Sequence, residues 1–138
     1  MTDVTRTDVV GQASAYLREY DIERVATLYR NDVLLDANVP LWRFQLQGAE
    51  AVLEWFRDEI ADVGRPEVVS SSTHPSDDGI VIELQVEYDA DDGRHRWREV
   101  HLLLGDERGL AEHRIYCTGI WDPETIERHR VEGTMVRR

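Results

Sequence analysis

The chain has 138 residues, of which 41% are hydrophobic and 32% charged, as expected of one soluble globular domain able to bury its own core. Its formal net charge is -12, from 28 acidic residues against 16 basic ones that are all arginine; this argues against nucleic acid and anionic membranes as partners, because phosphate recognition relies on clustered positive charge. No apolar run approaches the ~20 residues of a membrane span, the start from Met1 to Arg6 carries no apolar signal region, and the single cysteine, Cys117, leaves no internal disulfide and too few thiolates for a Cys-based zinc site, so a cytoplasmic protein is expected.

Residues 1–7 read as frayed. From Thr7 or Asp8, either of which can cap, Val9, Val10, Ala13, Tyr16, Leu17 and Tyr20 recur at helical spacing. Asp21 reads as a second N-cap, for a helix over 22–30 with Val25, Ala26, Leu28 and Tyr29 on its apolar stripe. Residues 33–38 form a short strand, and 39–44 a loop, because Pro40 cannot donate to a ladder. Residues 48–60 make a third helix, buried through Ala49, Val52, Leu53, Phe56 and Ile60. A strand follows near 68–73. Three strand-length runs separated by Gly/Asp turns then cover 79–88, 94–104 and 110–118, an antiparallel meander. Leu110 falls in step with His113 only if the last strand opens with a bulge. Asp122 caps, and Pro123 opens, a short helix over 125–130. Residues 131–138 read as a loose tail, and no linker or repeat divides the chain.

Helices followed by a run of antiparallel strands imply an α+β fold, with helices packed on one face of a curved sheet. In this order, the segment 21–32 (Asp21, Ile22, Arg24, Val25, Leu28, Tyr29), the segment Gln47, Gly48 and Val52, and the closing strands resemble the nuclear transport factor 2-like (NTF2-like) superfamily, especially its SnoaL-like and ketosteroid-isomerase-like members. The resemblance covers roughly residues 8–128. It implies a cone-shaped, cystatin-like domain with a pocket between sheet and helices. Its members include isomerases, dehydratases, cyclases and epoxide hydrolases beside non-catalytic binding domains.

The family's catalytic sets transfer poorly. The carboxylate base of ketosteroid isomerases falls at Ala37, one residue from Asp36; their oxyanion-hole acid falls at Val100 and their helix-one tyrosine near Ala13. The first-strand motif of limonene-epoxide-hydrolase-like enzymes matches at Asn38, with Asp36 in place of tyrosine. Their arginine and two aspartates fall at Leu84, Val86 and Ile115, which are apolar here, so that mechanism is rejected.

The same matching puts Ile82, Leu84, Val86, Val100, Leu102, His113, Ile115 and Cys117 on the pocket side. Asp36, Asn38 and His113 are then the catalytic candidates, with Tyr16, Tyr20, Tyr29, Trp42 and Trp121 near the rim. Asp36 and His113 would form an acid/base pair, while Asn38 or a tyrosine polarises a ligand oxygen. The competing accounts are a core histidine bonded to a carbonyl or tyrosine hydroxyl, a solvent-facing Asp36 and a turn-holding Asn38. Cys117 reads as a small core residue. Glu83, Glu87, Glu99, His101 and Arg114 read as cross-strand ion pairs on the outer face. There Trp97 and Tyr116 suggest cover by a second subunit, hence a homodimer. The expected function is a cofactor-independent isomerase, dehydratase or cyclase without metal, acting on a small apolar ligand; the alternative is a non-catalytic binding domain.

Overall fold

The structure, a computed structural model, describes residues 8–134 and Val136. The fraying expected over 1–7 lies outside these residues, as do 135, 137 and 138 of the expected tail.

Helix α1 (Val9–Leu17) starts where the Asp8 side chain accepts a hydrogen bond from the Gly11 amide, and it buries Val10, Ala13 and Leu17. Helix α2 (Ile22–Ala26), capped by Asp21, ends four residues before the expected boundary, because Tyr29 already opens strand β1 (Tyr29–Val39). The expected loop over 39–44 is a hairpin. Pro40 and Leu41 form its turn, where no ladder donor is needed, and Leu41 has φ 62°. Strand β2 (Trp42–Gln47) follows it, then helix α3 (Ala49–Ile60) with Val52 and Phe56 buried.

Strands β3 (Glu67–Pro75), β4 (Gly79–Ala90), β5 (Gly93–Asp106) and β6 (Gly109–Cys117) complete a six-stranded sheet in the order β2-β1-β6-β5-β4-β3. Only the β1–β6 pair is parallel. Helix α4 (Pro123–Glu132) runs two residues past its expected end, so 131 and 132 are helical rather than part of a loose tail. Helix α1 packs on β4, β5 and β6, and α3 on β1 and β2. The architecture is the expected α+β one: an unclosed curved sheet with its helices.

Register decides which side chains face the helices. Asp91 and Asp92 form the two-residue turn between β4 and β5, so Ala90 pairs with Gly93, Val86 with Trp97, Leu84 with Glu99 and Ile82 with His101. Directly paired residues share a face of the sheet. At the next hairpin Leu104 pairs with Glu112 and Gly105 with Leu110, which leaves Ala111 as the extra residue of the bulge that the sequence called for. Beyond it Leu103 pairs with His113, His101 with Ile115 and Glu99 with Cys117.

The inner face of β5 is therefore Trp97, Glu99, His101 and Leu103, all buried. This corrects the expectation for that strand. Val100 and Leu102 lie on the outer face and are half-buried, while Trp97, Glu99 and His101 are inside. Ile82, Leu84, Val86, His113, Ile115 and Cys117 are on the expected side. Of the two aromatic residues offered as a reason for dimerisation, Trp97 is core and Tyr116 remains outside, 48% exposed.

The face assignment is testable with neighbouring leucines. Leu103→Ala should destabilise the fold by about 2–5 kcal/mol, as for a fully buried leucine, whereas Leu102→Ala should cost clearly less. Urea denaturation of both variants checks this; equal losses would contradict the register.

Candidate functional site

The inner face carries a continuous buried chain of polar side chains. The Tyr20 hydroxyl donates to Glu99 Oε2 at 3.3 Å, and Glu99 Oε1 lies 3.0 Å from His101 Nε2. His101 Nδ1 is 2.8 Å from His113 Nε2, and His113 Nδ1 is 2.8 Å from the Tyr29 hydroxyl. One assignment of protons satisfies every member. Tyr29 donates to His113 Nδ1, His113 Nε2–H donates to His101 Nδ1, and His101 Nε2–H donates to Glu99, which accepts at both oxygens. The reverse direction would leave the Tyr29 proton without an acceptor among the described residues. Such networks are costly when broken, because each member is desolvated.

The elements explain the alignment. His101 and Glu99 are two residues apart on β5, so both point inward. The bulge at Ala111 sets His113 opposite Leu103, diagonal to His101. Tyr29 enters where β1 runs parallel to β6 and pairs with Leu110. Tyr20 has φ 55°, a left-handed turn between α1 and α2 that directs its ring onto Trp97, with centroids 6.1 Å apart. Phe56 of α3 stacks on His113 at 5.4 Å and seals the chain from above.

Burial holds the His113 imidazole well below the ordinary histidine range, and the neighbouring His101 acts in the same direction. Burial also pushes the Tyr29 hydroxyl up. The Tyr20 hydroxyl is raised too, first by burial and then by Glu99. The Cys117 thiol is pushed up to about 11 by burial, with Glu99 adding to it, so it is no thiolate nucleophile at neutral pH.

Glu99 ends this chain at a cavity of about 310 Å³ between the sheet and α3. Tyr20, Trp55, Phe56, Trp97, Ile115 and Cys117 line it, with Glu59, Ile60 and Val63 on the helix side and Val39, Pro40, Gly119 and Ile120 opposite. Gly119 is required there: φ is 79°, and a Cβ would come within 2.7 Å of Pro40 Cγ. A larger hollow lies toward the outer face, lined by Asn38, Val100, Tyr116 and Trp121 among others, and Glu99 and Cys117 border it too. The smaller cavity is the candidate site, because the Tyr20 end of the network and four aromatic side chains meet there.

Of the expected site residues, Tyr20, Ile115 and Cys117 line the cavity, and His113 and Tyr29 belong to the network behind it. Leu84 and Val86 are fully buried on the same face. The other expected positions need correction. Asp36 is on the outer face, where it pairs with Gln45 and Arg114 across the ladders. Arg43 holds it with hydrogen bonds of 2.9 and 2.7 Å, and Gln45 with one of 3.2 Å. This clamp lowers the Asp36 carboxyl pKa. Leu35, not Asp36, is the residue beside His113, so the proposed pair does not meet. Asn38 also faces outward, and its amide donates to the Ile115 carbonyl. Tyr16 packs under Arg24, Trp42 is 69% exposed, and Trp121 rests on His129. The residues missed were Glu99, His101, Trp97, Trp55 and Glu59. Hairpin arithmetic could have found the first three: with Asp91 and Asp92 as the turn, His101 must sit opposite Ile82.

Acidification should destabilise this protein unusually early. An unfolded histidine binds its proton near pH 6.5, whereas folded His113 resists doing so far below that. The contribution is therefore intact above about pH 6.5 and is lost as pH falls toward the folded value, at up to about 1.4 kcal/mol per pH unit for one proton. Denaturation midpoints from about pH 7.5 to 5 measure the slope; a flat profile would contradict a neutral buried His113.

No family model matches the chain, and no curated protein matches it either. Solved structures do. A ketosteroid-isomerase-like protein from Catenulispora acidiphila DSM 44928, in complex with trimethylamine, aligns at TM-score 0.63 and 14% identity, over 83% of this chain and 88% of that one. An NTF2-like protein from Anabaena variabilis ATCC 29413 aligns at 0.64 and 14%, over 86% and 95%. A candidate SnoaL-like polyketide cyclase from Shewanella putrefaciens CN-32 aligns at 0.63 and 12%, over 90% and 84%. At these identities the likeness is one of fold.

Proposed function

We propose that this chain, which has the NTF2-like fold of those three proteins, moves protons on a small ligand with Glu99 as the base and no metal or organic cofactor. The observation that carries this reading is a buried carboxylate at the end of an apolar cavity, oriented through both oxygens. An apolar hollow with a few convergent polar groups is the usual form of a small-ligand site.

In this reading Glu99 takes a proton from an acidic C–H of the ligand. It returns that proton to another atom of the same molecule, as an isomerase or cyclase does, or to a departing hydroxyl, as a dehydratase does. The Tyr20 hydroxyl, which lines the cavity beside Glu99, donates to a ligand oxygen on which negative charge develops. His101, His113 and Tyr29 are positioning residues. They fix the rotamer of Glu99, so that little reorganisation is needed when its charge changes. Non-catalytic ligand binding is the second reading, favoured by a network that satisfies itself internally, as a purely structural one would.

Deuterium incorporation separates the two. Small carbonyl carbon acids that bind the cavity, incubated with the protein in D2O, should gain deuterium next to the carbonyl. Glu99→Gln should slow this by about 100-fold or more, the usual worth of a positioned general base, without abolishing binding. Tyr20→Phe should slow it by a smaller factor. Binding without deuterium gain above the Glu99→Gln level would leave the non-catalytic reading.

We also propose that two copies pair through the outer face, where Tyr116 is exposed beside half-buried Val100 and Leu102. Sedimentation should show a dimer at micromolar concentration; a monomer there would rule the pairing out.

A further inference from the structure

The cavity combines two features that an uncharged apolar ligand would not require. Four aromatic side chains line it: Tyr20, Trp55, Phe56 and Trp97. The charged side chains among its described lining residues, Glu59 and Glu99, are both acidic, and no arginine joins them. Glu99 is 6% exposed, and among the described residues no arginine lies within ion-pair distance of it; its partners are Tyr20 and His101. Elsewhere this protein pairs its buried carboxylates with guanidinium groups, as at Asp36 with Arg43 and Glu87 with Arg94 and Arg96. The inner site departs from that habit.

An anion buried without a counter-charge is unfavourable. A ligand that brings a positive charge relieves it, and ring faces attract the same charge through their quadrupoles. Anions would be repelled by both carboxylates. Hard metal ions are poorly served, since among the described residues no group of three or more metal-ligating side chains converges here and the rest of the lining is mostly rings and aliphatic side chains. A primary ammonium needs three hydrogen-bond acceptors around it, whereas the wall between Glu59 and Glu99 is mostly rings and aliphatic side chains. Methyl groups around a cationic nitrogen do match ring faces, and a cavity of about 310 Å³ suits a compact head group of this kind.

We propose that the ligand of this cavity is a methylated organic ammonium, held by the rings of Trp55 and Trp97 in the field of Glu59 and Glu99. This rests on the reading of the cavity as the ligand site, and it narrows the substrate class. Glu59, at the exposed mouth, offsets the charge, and Glu99 remains the base. The carboxyl of Glu59 is already raised, by desolvation first and then by Asp58 and Glu99, as expected of a site that lacks positive charge. An ammonium next to the reacting carbon would also stabilise the electron pair left when Glu99 removes a proton.

The test compares choline with its carbon isostere 3,3-dimethylbutan-1-ol, which has nearly the same shape and no charge. Both are titrated into the full chain by calorimetry, with the indole N–H signals of Trp55 and Trp97 followed by NMR. Choline should bind at least about tenfold more tightly than the alcohol, the size expected of a desolvated cation–ring contact with a carboxylate nearby. Glu59→Gln, at a position where folding is not at risk, should cut choline affinity by about threefold or more and leave the alcohol unchanged. Glu99→Gln should weaken choline binding more strongly, and choline more than the alcohol. Equal affinities, tighter binding of the alcohol, no choline binding, or choline affinity indifferent to both substitutions would each overturn the proposal. Binding of the alcohol alone would remove only the cation and leave the cavity as the ligand site. Deuterium exchange decides the acid/base reading separately.

Discussion

A carboxylate has been placed inside an apolar core, and much of the structure serves to hold it there. Glu99 is 6% exposed, so each of its oxygens needs a donor. Tyr20 supplies one and His101 the other. His101 then needs a donor of its own, which is His113, and His113 needs Tyr29. The demand runs through four side chains, which lie in two distant stretches of the chain. This explains local features that are otherwise unrelated: the left-handed Tyr20, the early start of β1 at Tyr29, and the bulge at Ala111 that sets the phase of His113.

The helices complete the arrangement by excluding solvent. Phe56 lies flat on His113, and Trp55 makes edge contacts with Phe44 and Phe56. Trp97 meets Tyr20 on one side and Tyr88 on the other. The same rings that dry the network form the wall of the cavity, so packing and ligand recognition share their residues. The outer face is organised differently. Its carboxylates, at Asp36, Glu87 and Glu112, are matched by arginines across or along strands. Pairs whose arginine is partly exposed contribute little to stability. The contrast between these arginine-paired carboxylates and Glu99, which has no arginine within ion-pair distance among the described residues, directs attention to the inner cavity.

Much of the architecture was legible beforehand. Helical spacing located α1 and α3, the caps at Asp8, Asp21 and Asp122 marked helix starts, and Gly/Asp turns marked the meander. These signals are local, arising within a few residues of chain. Both long alternations were also read correctly as two-faced strands. What failed was the choice of face for β5. Val100, Leu102 and Leu104 looked like the core side because they are apolar, whereas Glu99 and His101 looked solvated. The hairpin turn overrules that preference, since a one-residue slip would turn every inward side chain of β5 outward. Asp36 failed for the same reason: sharing a neighbourhood with His113 is not sharing a face.

The amino-acid sequence by itself therefore determined the four helices among the described residues, the meander and the α+β class, because periodicity and capping act over one or two turns of chain, while β2 and the inward side of β5 escaped it. Only the tertiary structure decided that His113 meets His101 and Tyr29 rather than Asp36, and that Glu99 faces the cavity. Those contacts join residues 79, 84 and 12 positions apart. Their partners are chosen by the pairing of β5 with β4 and β6 and by the turn that carries Tyr20 over the sheet. A polar residue is recognised as buried only once the strand opposite it is known, since its desolvation is offset by donors that the local chain does not contain.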